Sequence, residues 1–206
     1  MADYHLPLFP GEYYHVLSRA VGSEKLFRSD ENRRFFLRRY VKYIQPLADT
    51  FAYCLLPNHF HFLIRIKPGD ELRQLYTVLK PRSFFDPEAV PEFIMQQFSN
   101  FLNSYAKAFN KMYNRKGALF IDYLRRVEVK SENQFRATLF YIHKNPVHHQ
   151  YVDKIEEWHW SSFKTIVGTE TTILMRAEVL DWFDGVKGYM QYHQQAIYPK
   201  ETMILE

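Results

Sequence analysis

The chain has 206 residues, of which 47% are hydrophobic and 24% charged, with 18 Phe, 15 Tyr and 3 Trp, a globular composition that suits one domain with an appendage. Its formal net charge of +4 permits nucleic-acid binding without demanding it. A single cysteine, Cys54, excludes an intrachain disulfide and a cysteine zinc site, and no apolar run approaches the ~18 residues of a membrane span. The start of the chain, residues 1–5, has neither a basic n-region nor an apolar h-region. A protein of the cytoplasm is expected.

Tyr13–Arg19 is aromatic and β-branched and follows the Pro10-Gly11 turn, which predicts a strand. Ser29 and Asp30 offer an N-cap for a helix over about 31–47. Phe36, Tyr40, Ile44 and Leu47 form its apolar face, and Arg34, Arg38 and Lys42 a basic stripe at one-turn spacing. Strands over about 50–56 and 59–67, joined at Pro57-Asn58, read as a hairpin. Residues 80–91, with Pro81, Pro87 and Pro91, read as an irregular connection before a long helix over about 92–113. A basic turn at 114–117 leads to a strand over about 123–129. Ser131 and Gln134 then make a capping-box pattern for a helix expected to end near Pro146. Residues 181–196 read as a terminal helix or a pair of short ones. The order is β-α-β-β-α-β with an added helix. It predicts the α+β class: a ferredoxin-like split β-α-β antiparallel sheet with helices on one face, plus a tyrosine-bearing helix and a C-terminal helical extension. Residues 1–150 form the main domain and 151–206 an extension packed on it.

The sharpest local feature is Pro57-Asn58-His59-Phe60-His61-Phe62-Leu63-Ile64. Strand side chains alternate, so His59 and His61 share a face while Phe60, Phe62, Ile64 and Ile66 point into a core. Such a pair of imidazoles can grip one metal ion, and it equally fits two histidines on a hydrogen-bonded sheet face. The second feature is Tyr141-Ile142-His143-Lys144-Asn145-Pro146-Val147. On a helix Phe135, Leu139 and Ile142 make a core stripe, and Thr138, Tyr141 and Asn145 lie together on another face, where Tyr141 is either displayed beside a metal-ligating amide or packed at the margin of the core.

These two segments together resemble the single-tyrosine HUH transposases, most nearly the REP-associated tyrosine transposases. Tyr14–Arg19, Gly117-Ala118-Leu119-Phe120 and Trp158-His159-Trp160-Ser161-Ser162-Phe163 extend the likeness over roughly residues 10–190. The resemblance implies that the 1–150 domain is an HUH nuclease domain, with His59 and His61 as metal ligands, Tyr141 as nucleophile and Asn145 at the place of a third ligand. It implies Mg²⁺ or Mn²⁺, of which two imidazoles suit Mn²⁺ better. It implies single-stranded or hairpin DNA as partner, no membrane, and a bacterial, nucleoid-associated location; a homodimer is left open. Arg19, Arg115, Lys116, Arg125, Arg126 and Lys130 are the candidate DNA contacts, although the adjacent Arg125 and Arg126 must face opposite sides of a strand. His143 and His148 lie near the tyrosine in sequence, without either being marked as a general base. Where the family often has Asn-Arg-Gly after the first strand, this chain has Ser18-Arg19-Ala20. The rival readings are a non-catalytic module for hairpin DNA or RNA, and a structural protein whose sheet mediates dimerisation.

Overall fold

The computed structural model describes residues 6–121 and 124–194. Four strands, β1 (Tyr13–Arg19), β2 (Ala48–Leu55), β3 (His59–Ile66) and β4 (Arg125–Val129), form an antiparallel sheet in the order β2-β3-β1-β4. Helix α1 (Asp30–Tyr43) joins β1 to β2, and α3 (Val90–Met112) lies between β3 and β4. This is the expected ferredoxin-like arrangement. The Ser29 hydroxyl caps α1 by accepting from the Asn32 N–H. The helix stops at Tyr43, short of Leu47, because Ile44 and Leu47 already belong to the turn that enters β2. A further helix, α2 (Gly69–Leu79), was not anticipated, although Leu72, Leu75, Tyr76 and Leu79 recur at helical spacing; of these only Leu72 is buried.

Alternation divides the sheet into two faces, and both are covered. On one, Phe60, Phe62 and Ile64 meet Phe36 and Tyr40 of α1 and Phe98, Phe101 and Tyr105 of α3. Tyr40 stacks on Phe62 at 4.1 Å and shares a 2.7 Å hydrogen bond with Thr50 Oγ1. Ring pairs of this kind add about 0.5–1.5 kcal/mol each beyond the area they bury. On the other face, Leu63, Val127 and Val129 pack against Phe135, Leu139 and Ile142 of α4 (Glu132–His148). Behind α4 come the short helices α5 (Phe163–Val167), α6 (Arg176–Asp181) and α7 (Val186–His193). Held from both sides, α4 is buried nearly all round rather than along one stripe.

Ser131 caps α4 by accepting from the Gln134 N–H, but the Gln134 side-chain oxygen accepts from the Lys130 N–H, so the capping box closes one residue early. The helix does not end at Pro146; it continues through His148. Proline there removes one hydrogen bond in a final turn, and the His149 N–H still reaches the Asn145 carbonyl. The sequence-based strand and helix limits at Tyr123 and at residues 195–196 lie outside the described residues.

Two polar clusters tie the residues after 150 to the sheet. Arg65 of β3 bonds Asp49 Oδ2 and Glu178 Oε1, each at 2.8 Å, and the Tyr13 hydroxyl at 2.9 Å. The second cluster is a buried relay whose direction is fixed from its carbonyl end. His193 Nδ1–H donates to the Tyr189 carbonyl (2.8 Å), so His193 Nε2 accepts from His143 Nδ1–H (3.0 Å). His143 Nε2 then accepts from the Ser162 hydroxyl (2.6 Å), whose oxygen accepts from the Tyr53 N–H (2.8 Å). The relay links β2, α4 and α7 with each donor used. Replacing Ser162 with Ala leaves the Tyr53 N–H and His143 Nε2 without these partners, at a cost of about 1–3 kcal/mol. Urea denaturation of Ser162→Ala is expected to show that loss; an unchanged midpoint would show the relay to be dispensable.

Candidate functional site

The β1–β3 ladder sets Arg19 opposite His59 and Leu17 opposite His61. Residues directly opposite share a face, so Arg19, His59, His61 and His15 all face α4. His15 Nε2 lies 2.9 Å from His61 Nδ1, with the two rings stacked at 5.1 Å. The Tyr141 ring stands edge-on to both, 5.9 Å from His15 and 5.6 Å from His61. One turn further along α4, Asn145 brings Oδ1 to 3.3 Å from His59 Nε2. The structure therefore brings together His59, His61, Tyr141 and Asn145. Of the two readings of Tyr141, displayed at the helix surface or packed at the margin of the core, the first is corrected: the residue is 5% exposed, with α4 lying between the sheet and the C-terminal helices. Asn145 is fully buried within the helix.

Two residues of the cluster went unnoticed in the sequence. His15 has the same strand parity as His59 and His61 once β1 and β3 are paired, a relation that needs the register. His149 follows α4 and places its ring 5.0 Å from His59. His143, in contrast, is turned away into the relay with Ser162 and His193, and is no neighbour of the tyrosine hydroxyl's face.

Burial holds these imidazoles neutral. It pushes His15 down to about 3. It pushes His59 down to about 4, against a hydrogen bond to Asn145 that acts the other way. His61 is lowered well below the usual histidine range, first by burial and then by its histidine neighbours. Neutral rings are what metal ligation requires. His59 Nδ1 lies 2.8 Å from Asn58 Oδ1 and Nε2 3.3 Å from Asn145 Oδ1, so the neutral ring can donate to only one of these amide oxygens and sets its lone pair against the other. His61 Nε2 and Asn145 Nδ2 are buried without a hydrogen-bond partner. At metal–ligand bonds of about 2.0–2.2 Å, neighbouring donors of one ion stand about 3 Å apart, close to the 3.3 Å between His59 Nε2 and Asn145 Oδ1. Among the described residues no three His, Cys, Asp or Glu side chains converge on one point. Asn145 Oδ1 is an amide oxygen that stands beside the histidine pair.

The basic residues are divided. Arg19 is exposed at the His59 end of the sheet. The turn bearing Arg115 and the exposed Lys116 adjoins that end, since Leu119 and Ile121 bond Val21 and Arg19. Arg115 itself holds the turn, donating to the Gly117 and Ala118 carbonyls and pairing with Glu24. Arg125 pairs with Leu17 and shares the histidine face. Arg126 takes the other face, buried, with Nε donating to the Leu6 carbonyl at 2.6 Å. Lys130 follows Val129, the partner of Tyr13, and so lies roughly 20 Å along the sheet from His59 at about 3.4 Å per residue. Among the described residues no helix is long and apolar enough to cross a membrane.

The fold and this cluster define a class: a ferredoxin-like protein with a His-x-His strand facing a tyrosine on a buried helix. Comparisons with known proteins narrow it. No family model matches the chain. A Haemophilus influenzae protein described as a REP-associated tyrosine transposase is 26% identical over 125 residues, covering 59% of this chain. The chain spans 62% of that relative's length. The solved structure of a REP-associated tyrosine transposase bound to a REP hairpin has the same fold, with a TM-score of 0.54 at 16% identity, covering 81% of this chain and 86% of that one. The chain is thus similar in sequence to one protein described as a REP-associated tyrosine transposase and in fold to another.

Acid sensitivity follows from the buried rings. His15, His59, His61, His143 and His193 all have folded-state values below the ordinary 6.5. As pH falls below 6.5 the unfolded chain takes up protons that the folded chain refuses. Stability is thus full above that pH and is lost progressively toward about 4, by up to about 1.4 kcal/mol per pH unit for each histidine. Thermal unfolding between pH 7 and 5 is expected to show a falling Tm; a flat profile would contradict the buried neutral assignment.

Proposed function

We propose that the chain is a transposase-type enzyme that binds single-stranded or hairpin DNA and cuts and rejoins one strand through Tyr141. The observation that carries this reading is the Tyr141 ring set against the His15–His61 pair, with Asn145 Oδ1 at His59 Nε2. The DNA partner comes from the relatives, one of which is bound to a REP hairpin. Arg19 and Lys116, exposed at the His59 end, supply charge for backbone phosphates.

In this reading the Tyr141 phenolate oxygen attacks a backbone phosphorus. The bond to the departing 3′ oxygen breaks, leaving a 5′-phosphotyrosine and a 3′-hydroxyl. A second 3′-hydroxyl reverses the step, restoring the diester and the tyrosine. His59, His61 and Asn145 would hold a divalent ion, Mn²⁺ or Mg²⁺, whose charge offsets that of the phosphate. His15 fixes the tautomer of His61: when His61 Nδ1–H donates to His15 Nε2, Nε2 of His61 keeps its lone pair for the ion. The low exposure of Tyr141 favours a second reading, a non-catalytic hairpin-binding module of the same descent.

Tyr141→Phe separates the two. The ring contacts remain, so folding and hairpin affinity are expected to be unchanged, while the covalent adduct with labelled single-stranded hairpin and Mn²⁺ disappears from a denaturing gel. Adduct at parental yield in the variant would remove Tyr141 from the chemistry; no adduct from the parent under any metal would favour the binding module.

Calorimetry of Mn²⁺ binding tests the ligand set. His59→Ala and Asn145→Ala are each expected to weaken binding at least ten-fold, as loss of a donor does. Parental affinity in Asn145→Ala beside a loss in His59→Ala would make the amide structural.

A further inference from the structure

The sequence offered two features that the cutting site does not use: the Trp158-His159-Trp160 segment and the basic stripe Arg34, Arg38 and Lys42. The fold connects them. From His59 a run of rings leaves the site: His149 at 5.0 Å, then Tyr151 a further 6.3 Å away, then Trp158 at 5.7 Å from Tyr151. The Arg33 guanidinium lies 5.8 Å over Trp158 and 5.5 Å over Trp160, and that of Arg34 lies 5.8 Å over Trp160. Beyond Arg34, Arg38 and Lys42 follow along α1 at four-residue steps, all three exposed.

Core packing does not account for all of this strip. His149 is exposed and Tyr151 is 43% exposed, although each has ring neighbours. Trp158 Nε1 and Arg33 Nε are shielded donors without a hydrogen-bond partner. The Arg33 charge is matched by Asp30 at 3.2 Å, and Asp30 also accepts from Trp160 Nε1. Arg34 has no acidic partner among the ion pairs of the described residues, and with Arg38 and Lys42 it carries the outward charge. The nearby Glu157 carboxylate is occupied by the Asp153 and Lys154 N–H groups.

We infer that this strip is a track for an unpaired DNA segment continuous with the strand held at His59, with bases stacking on Tyr151 and the neighbouring rings and phosphates following Arg34, Arg38 and Lys42. Alternating π-faces and cations suit single strands, because every base has a face to stack while a paired base does not expose one. A protein partner would find no contiguous apolar surface here, since the rings are separated by charged and amide groups. The inference rests on the DNA reading above and adds to it a surface away from the reacting groups.

The test uses Tyr151→Ala and Arg34→Gln, both at exposed positions, in the full chain. Binding is measured by fluorescence anisotropy for a DNA hairpin carrying an oligo-dT tail, for the same hairpin without the tail, and for the tailed hairpin made as RNA. Tyr151→Ala is expected to weaken binding of the tailed DNA hairpin roughly ten-fold, the usual loss for one stacked base, and to leave the tailless hairpin unchanged. Arg34→Gln is expected to lower the salt dependence of tailed binding only. Equal loss on both hairpins, or no loss on either, overturns the track; so does parental RNA binding that alone responds to the variants. Failure of the parent to bind any of the DNA probes would sink the DNA reading itself, whereas parental DNA binding and adduct formation with insensitive variants would sink only the track.

Discussion

The two-residue repeat of β3 governs the site. It sends Phe60, Phe62 and Ile64 into the aromatic core under α1 and α3, and in the same stroke sends His59 and His61 to the face under α4. Neither set can change sides without the other. The phenylalanines contribute burial energy, and that energy is what holds two imidazoles in register. A slip of one residue would send the histidines to the face under α1 and α3 and carry Phe60, Phe62 and Ile64 beneath α4. The same parity in β1 brings His15 against His61, and opposite parity separates Arg125 from Arg126.

The second requirement is the rotation of α4. Tyr141 and Asn145 meet the histidines only at one setting of that helix about its axis. Phe135, Leu139 and Ile142 set it coarsely by packing on the sheet. The relay through Ser162, His143 and His193 sets it more finely, since a directional chain of hydrogen bonds tolerates less drift than apolar contact does. The segment after residue 150 thereby bears on the setting of the tyrosine through the helix that carries it.

Much of this was legible in the sequence. The strand order, the hairpin at Pro57-Asn58, the Ser29 cap and the apolar faces of α1 and α3 follow from periodicity and local chemistry, which act over a few residues. The strand parity of His59 and His61 and the joint position of Tyr141 and Asn145 are of the same kind. Relations between elements were not legible. His15 gains its meaning only from the β1–β3 register, and His149 only from where the end of α4 falls. The burial of Tyr141 depends on what covers α4 from behind, and helical periodicity on one side of a helix cannot report a second covering layer. Pro146 misled for a related reason: the preference of a residue before proline is a local cost of limited size, and here the tertiary contacts of the buried Asn145 and Pro146 outweigh it.

A helix pinned on two sides makes a poor hinge. The tyrosine cannot swing outward unless α4 parts from the sheet or from the helices behind it, and either motion would open a packed core. On the proposed strand-transfer reading, the yielding component would be the nucleic acid, whose unpaired segments bend at little cost. The protein would act as an anvil, and the conformational entropy lost on engagement would be chiefly that of the DNA. Variation in the length or flexibility of an unpaired strand would be accommodated on that side of the encounter, while the spacing between Tyr141 and the histidines stays as the core sets it.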